Sequence, residues 1–198
     1  SQLVKKIIKG NKKIDLIYSA NTISHIPNLK EAFKAVSIGL SKDGVFVFED
    51  PYIGSVVKIN SYDQFYDEHV HLFSLLAVSK ILSNTCLKVF DVEIIQTHGG
   101  SIRFYVCKNN SKFKETKNLK LIRSKEIKLG LHKFSTYKKF SYKVKKSRKA
   151  HGLKSAIRRL SRRRPKPKGD IENGIGRFTE TICPICLGEF TYEDLYNK

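Results

Sequence analysis

The densest group of side chains able to do acid–base chemistry lies in residues 62–74, which read YDQFYDEHVHLFS. This segment combines tyrosines, carboxylates and two histidines, and it follows neither a helical nor a strand period. A histidine can exchange a proton near neutral pH, and a neighbouring carboxylate or phenol can orient it. The composition indicates a general acid–base site, and the alternative is a polar surface loop that its aromatic side chains hold down.

The apolar patterns upstream of this segment predict a parallel βαβ unit. Residues 14–20 and 45–50 form short apolar runs, typical of strands that are buried on both faces. Between them, residues 29–40 place apolar side chains at helical spacing, and Asn28 can cap that helix. Residues 42–44, Lys-Asp-Gly, predict a turn before the second strand. Because such a crossover makes its strands parallel, a ligand site is expected at their shared carboxyl edge.

His25 lies just past the first of these strands, in Ser24-His25-Ile26-Pro27, and therefore at the same edge. A histidine at the start of a helix is usually structural, so His25 alone is weak support for a site. Farther along, a short helix is predicted over 75–83 and two strands over 87–95 and 101–107. Gly99-Gly100 between these strands indicates an antiparallel hairpin, so the fold class is α/β with a mixed sheet.

Positive charge is concentrated in one part of the 198-residue chain. The net charge is +20, and residues 108–168 hold 24 of the 38 Lys and Arg but 2 of the 18 Asp and Glu. The pattern predicts a basic helical region over 108–157 and a basic, proline-containing linker over 158–180. Interleaved aromatic residues allow an alternative, a nucleic-acid-binding module, although a solvated cationic face is the preferred interpretation. These residues are Phe113, Phe134, Tyr137, Phe140 and Tyr142.

The four cysteines fall into two pairs with different expected roles. Cys86 and Cys107 lie within apolar patterns and are predicted to be buried free thiols. Cys183 and Cys186 form a CxxC knuckle in residues 181–198, which resembles half of a zinc module. No Cys or His follows them, so zinc is possible here only at an incomplete site. No apolar run reaches the length of a membrane span, which predicts a cytoplasmic chain with no membrane partner.

Several blocks of the sequence, taken in order, resemble the S-adenosylmethionine-dependent sugar C-methyltransferases. The blocks are residues 15–21 with 25–27, 43–49 with 51–52, 66–69 with 73–74, 91–93, and 98–103. Residues 126–131 and 137–140 are also similar to the helical stretch that follows the catalytic core in that family. The resemblance implies a partial Rossmann-like class I methyltransferase sheet over 1–107, followed by basic helices and a disordered tail.

The resemblance also implies roles for individual residues. Enzymes of that family remove a proton from the carbon beside a ketone of a nucleotide-linked deoxysugar and methylate the resulting enolate. In this chain His69 would be the base, Glu68 and Tyr66 would orient it or the sugar, and His25 would hydrogen-bond the substrate oxygen. The family usually has histidine where this chain has Asp67, so the surroundings of the base differ.

The cofactor-binding part of the resemblance is incomplete. The glycine-rich loop and the ribose-binding carboxylate of the family belong to strands that precede Asp15, and nothing before Asp15 resembles them. The chain is therefore interpreted as a fragment that is truncated at its amino terminus, with an inactive remnant as an alternative. Ser19, Ala20 and Asn21 are expected to form one wall of the S-adenosylmethionine pocket. The chain alone is expected to bind this cofactor weakly or not at all.

Overall fold

One mixed sheet forms the centre of the computed structural model, which describes residues 13–65 and 69–161. Among these residues, four strands lie in the order β1-β2-β4-β3. Strand β2 pairs with β1 in parallel and with β4 antiparallel, and β4 pairs antiparallel with β3. The predicted α/β class, the parallel first pair and the antiparallel hairpin are confirmed. The strands are β1 (Ile14–Ala20), β2 (Leu40–Pro51), β3 (Leu87–Ile95) and β4 (Ser101–Lys108).

In three of the helices a side chain caps one of the first backbone N–H groups. The side chain of Asn28 accepts a hydrogen bond from the Glu31 N–H at 3.1 Å, which confirms the predicted cap. Ser74 caps a later helix by accepting from the Ala77 N–H at 3.1 Å. The helices are α1 (Leu29–Gly39), α2 (Ile53–Ile59), α3 (Leu75–Leu82), α4 (Lys117–Leu129) and α5 (Phe134–Ser161).

Two elements differ from the sequence-based expectations. Helix α2 was not predicted, because its seven residues are too few to display a helical period. Strand β2 begins at Leu40 and runs through the residues predicted as a turn. Its pairing with β1 shifts register between Ile14 and Leu16, so an irregularity within the ladder replaces the turn. A Cβ atom at Gly44 would lie 2.8 Å from the Ile14 carbonyl oxygen, so the close approach explains the glycine.

Phenylalanine side chains form the centre of the core. The rings of Phe46 and Phe48 on β2 stack at 5.1 Å, and Phe48 stacks on Phe104 of β4 at 4.7 Å. Phe33 of α1 and Phe73, just before α3, pack against Phe48 at 5.9 and 5.8 Å. This cluster fixes the spacing between the sheet and the segments at its carboxyl edge.

The basic helices α4 and α5 pack onto the same core. Their cationic side chains surround a buried apolar stripe that consists of Leu119, Ile122, Leu131, Phe140 and Val144. Helix α5 continues to Ser161, so the first residues of the segment predicted as a linker are helical. The remainder of that segment and the CxxC tail lie outside the described residues.

The two described cysteines differ in exposure. Cys107 lies on β4 and is fully buried, as predicted. Cys86 is exposed, so its predicted burial is wrong. The reason is local, because β3 begins only at Leu87 and Cys86 belongs to the preceding turn.

Candidate active site

A short 3-10 turn, Ile23–His25, presents His25 just beyond the carboxyl end of β1. Ile23 and Ser24 are buried under the turn, whereas His25 is half-buried. The chain enters this turn through Asn21, whose φ of 48° lies in the left-handed region. The Asn21 N–H donates to the Glu49 carbonyl oxygen at 2.8 Å, which ties the turn to the end of β2. The neighbouring strands therefore determine the position of His25.

The structure brings His69 next to His25. The two ring centroids are 5.2 Å apart, and the ring planes meet at 68°. The segment that carries His69 is held to β2 because the Phe73 N–H donates to the Pro51 carbonyl oxygen at 3.2 Å. Histidines 44 positions apart in the sequence thus face one another at the carboxyl edge.

The hydrogen bond of His69 determines which ring nitrogen can accept a proton. Its Nδ1 lies 3.0 Å from the Gln64 carbonyl oxygen. A carbonyl oxygen only accepts, so Nδ1 carries the hydrogen and the lone pair of the neutral ring is on Nε2. This arrangement suits a general base, since the bonded nitrogen fixes the ring while the other can take a proton.

His71 lies in the same segment but is anchored to the turn. Its N–H donates to the Ser24 carbonyl oxygen at 3.1 Å, and its Nε2 donates to the Pro27 carbonyl oxygen at 3.4 Å. Burial lowers the pKa of the His71 imidazole, which favours its neutral form. His71 therefore holds the His69 segment against the His25 turn.

Asp50 is a residue of this edge that the sequence interpretation did not include among the site residues. Its side chain is fully buried, and its Oδ1 accepts the Ser24 N–H at 3.0 Å. Burial raises the pKa of the Asp50 carboxyl, while hydrogen bonds from Ser24 and the charge of His25 oppose that rise. A signal was present in the sequence, since Glu49-Asp50 ends an otherwise apolar strand.

A charged network crosses the sheet beside this site. Glu49, which is 6% exposed, accepts hydrogen bonds from Arg103 at 2.9 Å and from the Thr97 hydroxyl at 3.1 Å. Arg103 also donates to Glu93 at 3.2 Å. The bond to Glu49 is the main reason that the pKa of Arg103 is raised. The network links the ends of β2 and β3 and the turn that joins β3 to β4.

The structure places the predicted cofactor residues at the end of β1. Ser19 is half-buried, and Ala20 and Asn21 are exposed. The Ala20 carbonyl oxygen accepts the Thr22 hydroxyl at 2.9 Å. The predicted role of these three residues as one wall of the cofactor pocket stays a prediction.

Several predicted site residues lie outside the described part of the chain. They are Tyr66, Glu68, Cys183 and Cys186. Among residues 13–65 and 69–161, no three His, Cys, Asp or Glu side chains are grouped so that they could hold a metal ion. Within these same residues, no helix has the length and apolar composition needed to cross a bilayer.

Comparisons with known proteins agree with the sequence resemblance. Residues 96–164 match the family model of the C-methyltransferase C-terminal domain. The C-methyltransferase NovU of Streptomyces niveus is 37% identical over 87 residues, which span 44% of this chain and 21% of NovU. The chain therefore matches about a fifth of the length of this curated relative.

Two solved structures show weaker likeness. An S-adenosylmethionine-dependent methyltransferase from Clostridium acetobutylicum ATCC 824 has a TM-score of 0.40 at 20% identity, covering 51% of this chain and 61% of that one. The crystal structure of M1.HpyAVI has a TM-score of 0.35 at 18% identity, covering 59% and 56%. Both TM-scores lie below 0.5, so neither identifies the fold. The family model and the curated relative therefore show that residues 96–164, and the 87 residues aligned with NovU, are similar to C-methyltransferases.

Proposed function

We propose that this chain carries the proton-transfer part of a C-methyltransferase that acts on a nucleotide-linked keto-deoxysugar. The observation that supports the proposal most strongly is the pairing of His25 and His69 at the carboxyl edge of the sheet. A base and a hydrogen-bond donor within one small volume are what enolate formation requires. The relative NovU is a C-methyltransferase, which is consistent with this chemistry.

In the proposed reaction, Nε2 of His69 takes the proton from the carbon beside the substrate ketone. The electrons of the broken C–H bond form the enolate, and its negative charge accumulates on the former ketone oxygen. His25 donates a hydrogen bond to that oxygen, which lowers the energy of the enolate. Tyr66 and Glu68 orient the sugar or His69. When bound, S-adenosylmethionine supplies the methyl group that the enolate carbon takes up.

Ser19, Ala20 and Asn21 would hold one side of the cofactor. They lie at the end of β1, and the Asn21 N–H is tied to Glu49, so the backbone there is fixed. Isothermal titration of this chain with S-adenosylmethionine is expected to show no binding heat at micromolar concentrations, because the proposed contacts from the described residues form only one wall of the pocket. Micromolar affinity would mean that the described residues hold the whole cofactor site.

The packing of the aromatic residues disfavours the nucleic-acid alternative. Phe113 stacks on Phe90 at 4.7 Å, Phe140 is buried, and the Tyr137 hydroxyl donates to the Leu131 carbonyl oxygen at 2.6 Å. Side chains that serve the core cannot stack on bases, and of the five interleaved aromatic residues only Phe134 and Tyr142 are strongly exposed, at 51% and 71%. No second function is therefore proposed.

Deuterium exchange tests the proposed base without requiring methyl transfer. The chain is incubated in D₂O with a nucleotide-linked keto-deoxysugar, and loss of the α-proton signal is followed by NMR. We expect exchange above the buffer rate in the native chain and a decrease of about 10²- to 10⁴-fold in His69→Gln. His132→Gln, in the turn between α4 and α5, is the matched control and should exchange as the native chain does. Equal rates in His69→Gln and the native chain would refute the assignment of the base.

A further inference from the structure

One oxygen of Asp50 has no explained role in the fold. Its Oδ1 accepts the Ser24 N–H, whereas Oδ2 is buried without a hydrogen bond of normal geometry to a described residue, although the Ser24 hydroxyl and the Ile23 N–H lie near enough to Asp50 to lower the pKa of its carboxyl. Burying a carboxyl group costs free energy unless both oxygens are compensated. A buried polar atom left without a partner therefore calls for an explanation other than stability.

Asp50 and the His69 segment hold the two peptide groups on either side of Ser24. The N–H of Ser24 donates to Asp50, and the carbonyl oxygen of Ser24 accepts from the His71 N–H at 3.1 Å. Ser24 itself is fully buried, so this residue cannot shift without breaking one of these bonds. His25 is the next residue, so the two bonds together determine how far its ring lies from that of His69.

Asp50 also interacts electrostatically with His25. A positive charge on His25 favours the ionised form of Asp50, against the burial that raises the pKa of the carboxyl. The hydrogen bond through Ser24 and the charge interaction therefore both connect Asp50 to His25.

We propose that Asp50 is a positioning residue that acts through Ser24 to hold the His25 ring against His69 in the orientation that meets the substrate. This inference rests on the proposed function, because it takes His25 to contact the substrate oxygen. Asp50 itself touches no substrate atom. If Asp50 only stabilised the fold, its loss would lower the melting temperature and leave the rate per folded molecule unchanged.

A double-mutant cycle on the deuterium-exchange rate tests this coupling. The variants are Asp50→Ala, His25→Ala and their combination, with the exchange rate constant at saturating substrate separated from the apparent KM. Asp50→Ala should lower the rate constant about 10- to 100-fold at a similar KM. A reacting group that is displaced from its productive position, here the His25 ring, lowers a reaction rate by about this factor. In the His25→Ala background, Asp50→Ala should lower the exchange rate constant by less than about twofold, because the ring that Asp50 positions is absent.

Conservative and control variants separate positioning from folding. Asp50→Asn keeps an oxygen that can accept the Ser24 N–H, so it should recover to within about threefold of the native rate. Asp43→Ala is the matched control, since Asp43 also accepts a backbone N–H, from Lys112 at 3.0 Å, but at the opposite end of β2. It should exchange at the native rate. Asp50→Leu replaces Asp50→Ala if the alanine variant does not fold, because it removes the acceptor without leaving a cavity.

Two results would overturn the inference. One is an Asp50→Ala effect that is as large in the His25→Ala background as in the native chain, and the other is no recovery in Asp50→Asn. If the native chain shows no exchange, the proposed function fails, and imidazole NMR then tests Asp50 by itself. Positioning requires that Asp50→Ala shift the His25 ring signals and weaken the His25 to His69 NOE, with neither change in Asp43→Ala. Unchanged His25 signals in Asp50→Ala would overturn it.

Discussion

Two carboxyl groups are fully buried in the described part of the chain, and their hydrogen bonding is opposite. Glu126, on α4, accepts the N–H groups of Leu75 at 2.7 Å and Leu76 at 2.9 Å, so both of its oxygens are used. Asp50 uses one oxygen and leaves the other without a described partner. A satisfied carboxyl stabilises a fold, whereas a half-satisfied one is tolerated where it serves another purpose. The comparison assigns Glu126 to stability and Asp50 to the site.

The partners of Glu126 explain why a basic helix carries a buried acid. The first N–H groups of helix α3 have no partner within the helix, and Glu126 and Ser74 accept three of them between Leu75 and Ala77. Tyr52 lies beside Glu126, and burial together with this neighbour raises the pKa of the Tyr52 phenol. Glu126 thus connects α4 to α3 and to the end of β2.

Glu126→Ala tests the stability side of the comparison and has its largest expected effect. One buried and one half-buried N–H group lose their partner, so the free energy of unfolding should fall by about 2–5 kcal/mol. Asp50→Ala removes the partner of one N–H and should cost about 1–3 kcal/mol. Urea denaturation followed by circular dichroism measures both. A larger loss in Asp50→Ala than in Glu126→Ala would reverse the assignment.

A second test uses the pH dependence of stability. Burial raises the pKa of the Glu126 carboxyl above its usual value of 4.5, despite the two N–H donors. The folded state therefore binds this proton more tightly than the unfolded state. The contribution of this proton to the free energy of unfolding is fully present below pH 4.5. It is lost as the pH rises through the raised pKa that Glu126 has in the folded state.

Glu126→Gln should remove this part of the pH dependence. Relative to the native chain, the variant should gain stability as the pH rises from 4 to 7, in urea titrations at several pH values. Burial also raises the pKa of the Asp50 carboxyl, so Asp50 likewise makes the protein less stable as the pH rises. This part of the pH dependence remains in Glu126→Gln. If the native chain instead gained on the variant with rising pH, the helix N-terminus would outweigh burial at Glu126.

Ser74→Ala has the smallest expected effect. Its hydroxyl oxygen accepts only the Ala77 N–H, so its loss should cost about 1 kcal/mol. Measured in the Glu126→Ala background, the cost should change, because both side chains serve the first turn of α3. Strict additivity would indicate that the two caps act independently.

The sequence predicted those features that depend on near neighbours. The Asn28 cap, the βαβ unit and the hairpin each follow from patterns within a few residues or from general chain topology. The contact between Glu126 and Leu75 spans 51 positions, and that between Asp50 and Ser24 spans 26. No local pattern indicates such pairs, so both buried carboxyls required the structure. His25 and His69 were found because a family resemblance links distant segments.

Because the two described cysteines differ in exposure, their alkylation rates can be used to measure how often the sheet opens. Cys107 lies on β4, between Val45 and Lys88 of the neighbouring strands, and burial raises the pKa of its thiol. Alkylation requires an accessible thiolate, so Cys107 can react only while the ladder around it is open. Exposed Cys86 on the same molecule reports the unprotected rate. In a variant with Cys183 and Cys186 replaced by serine, the ratio of the Cys107 rate to the Cys86 rate gives the fraction of time that β4 is separated from its neighbouring strands around Cys107.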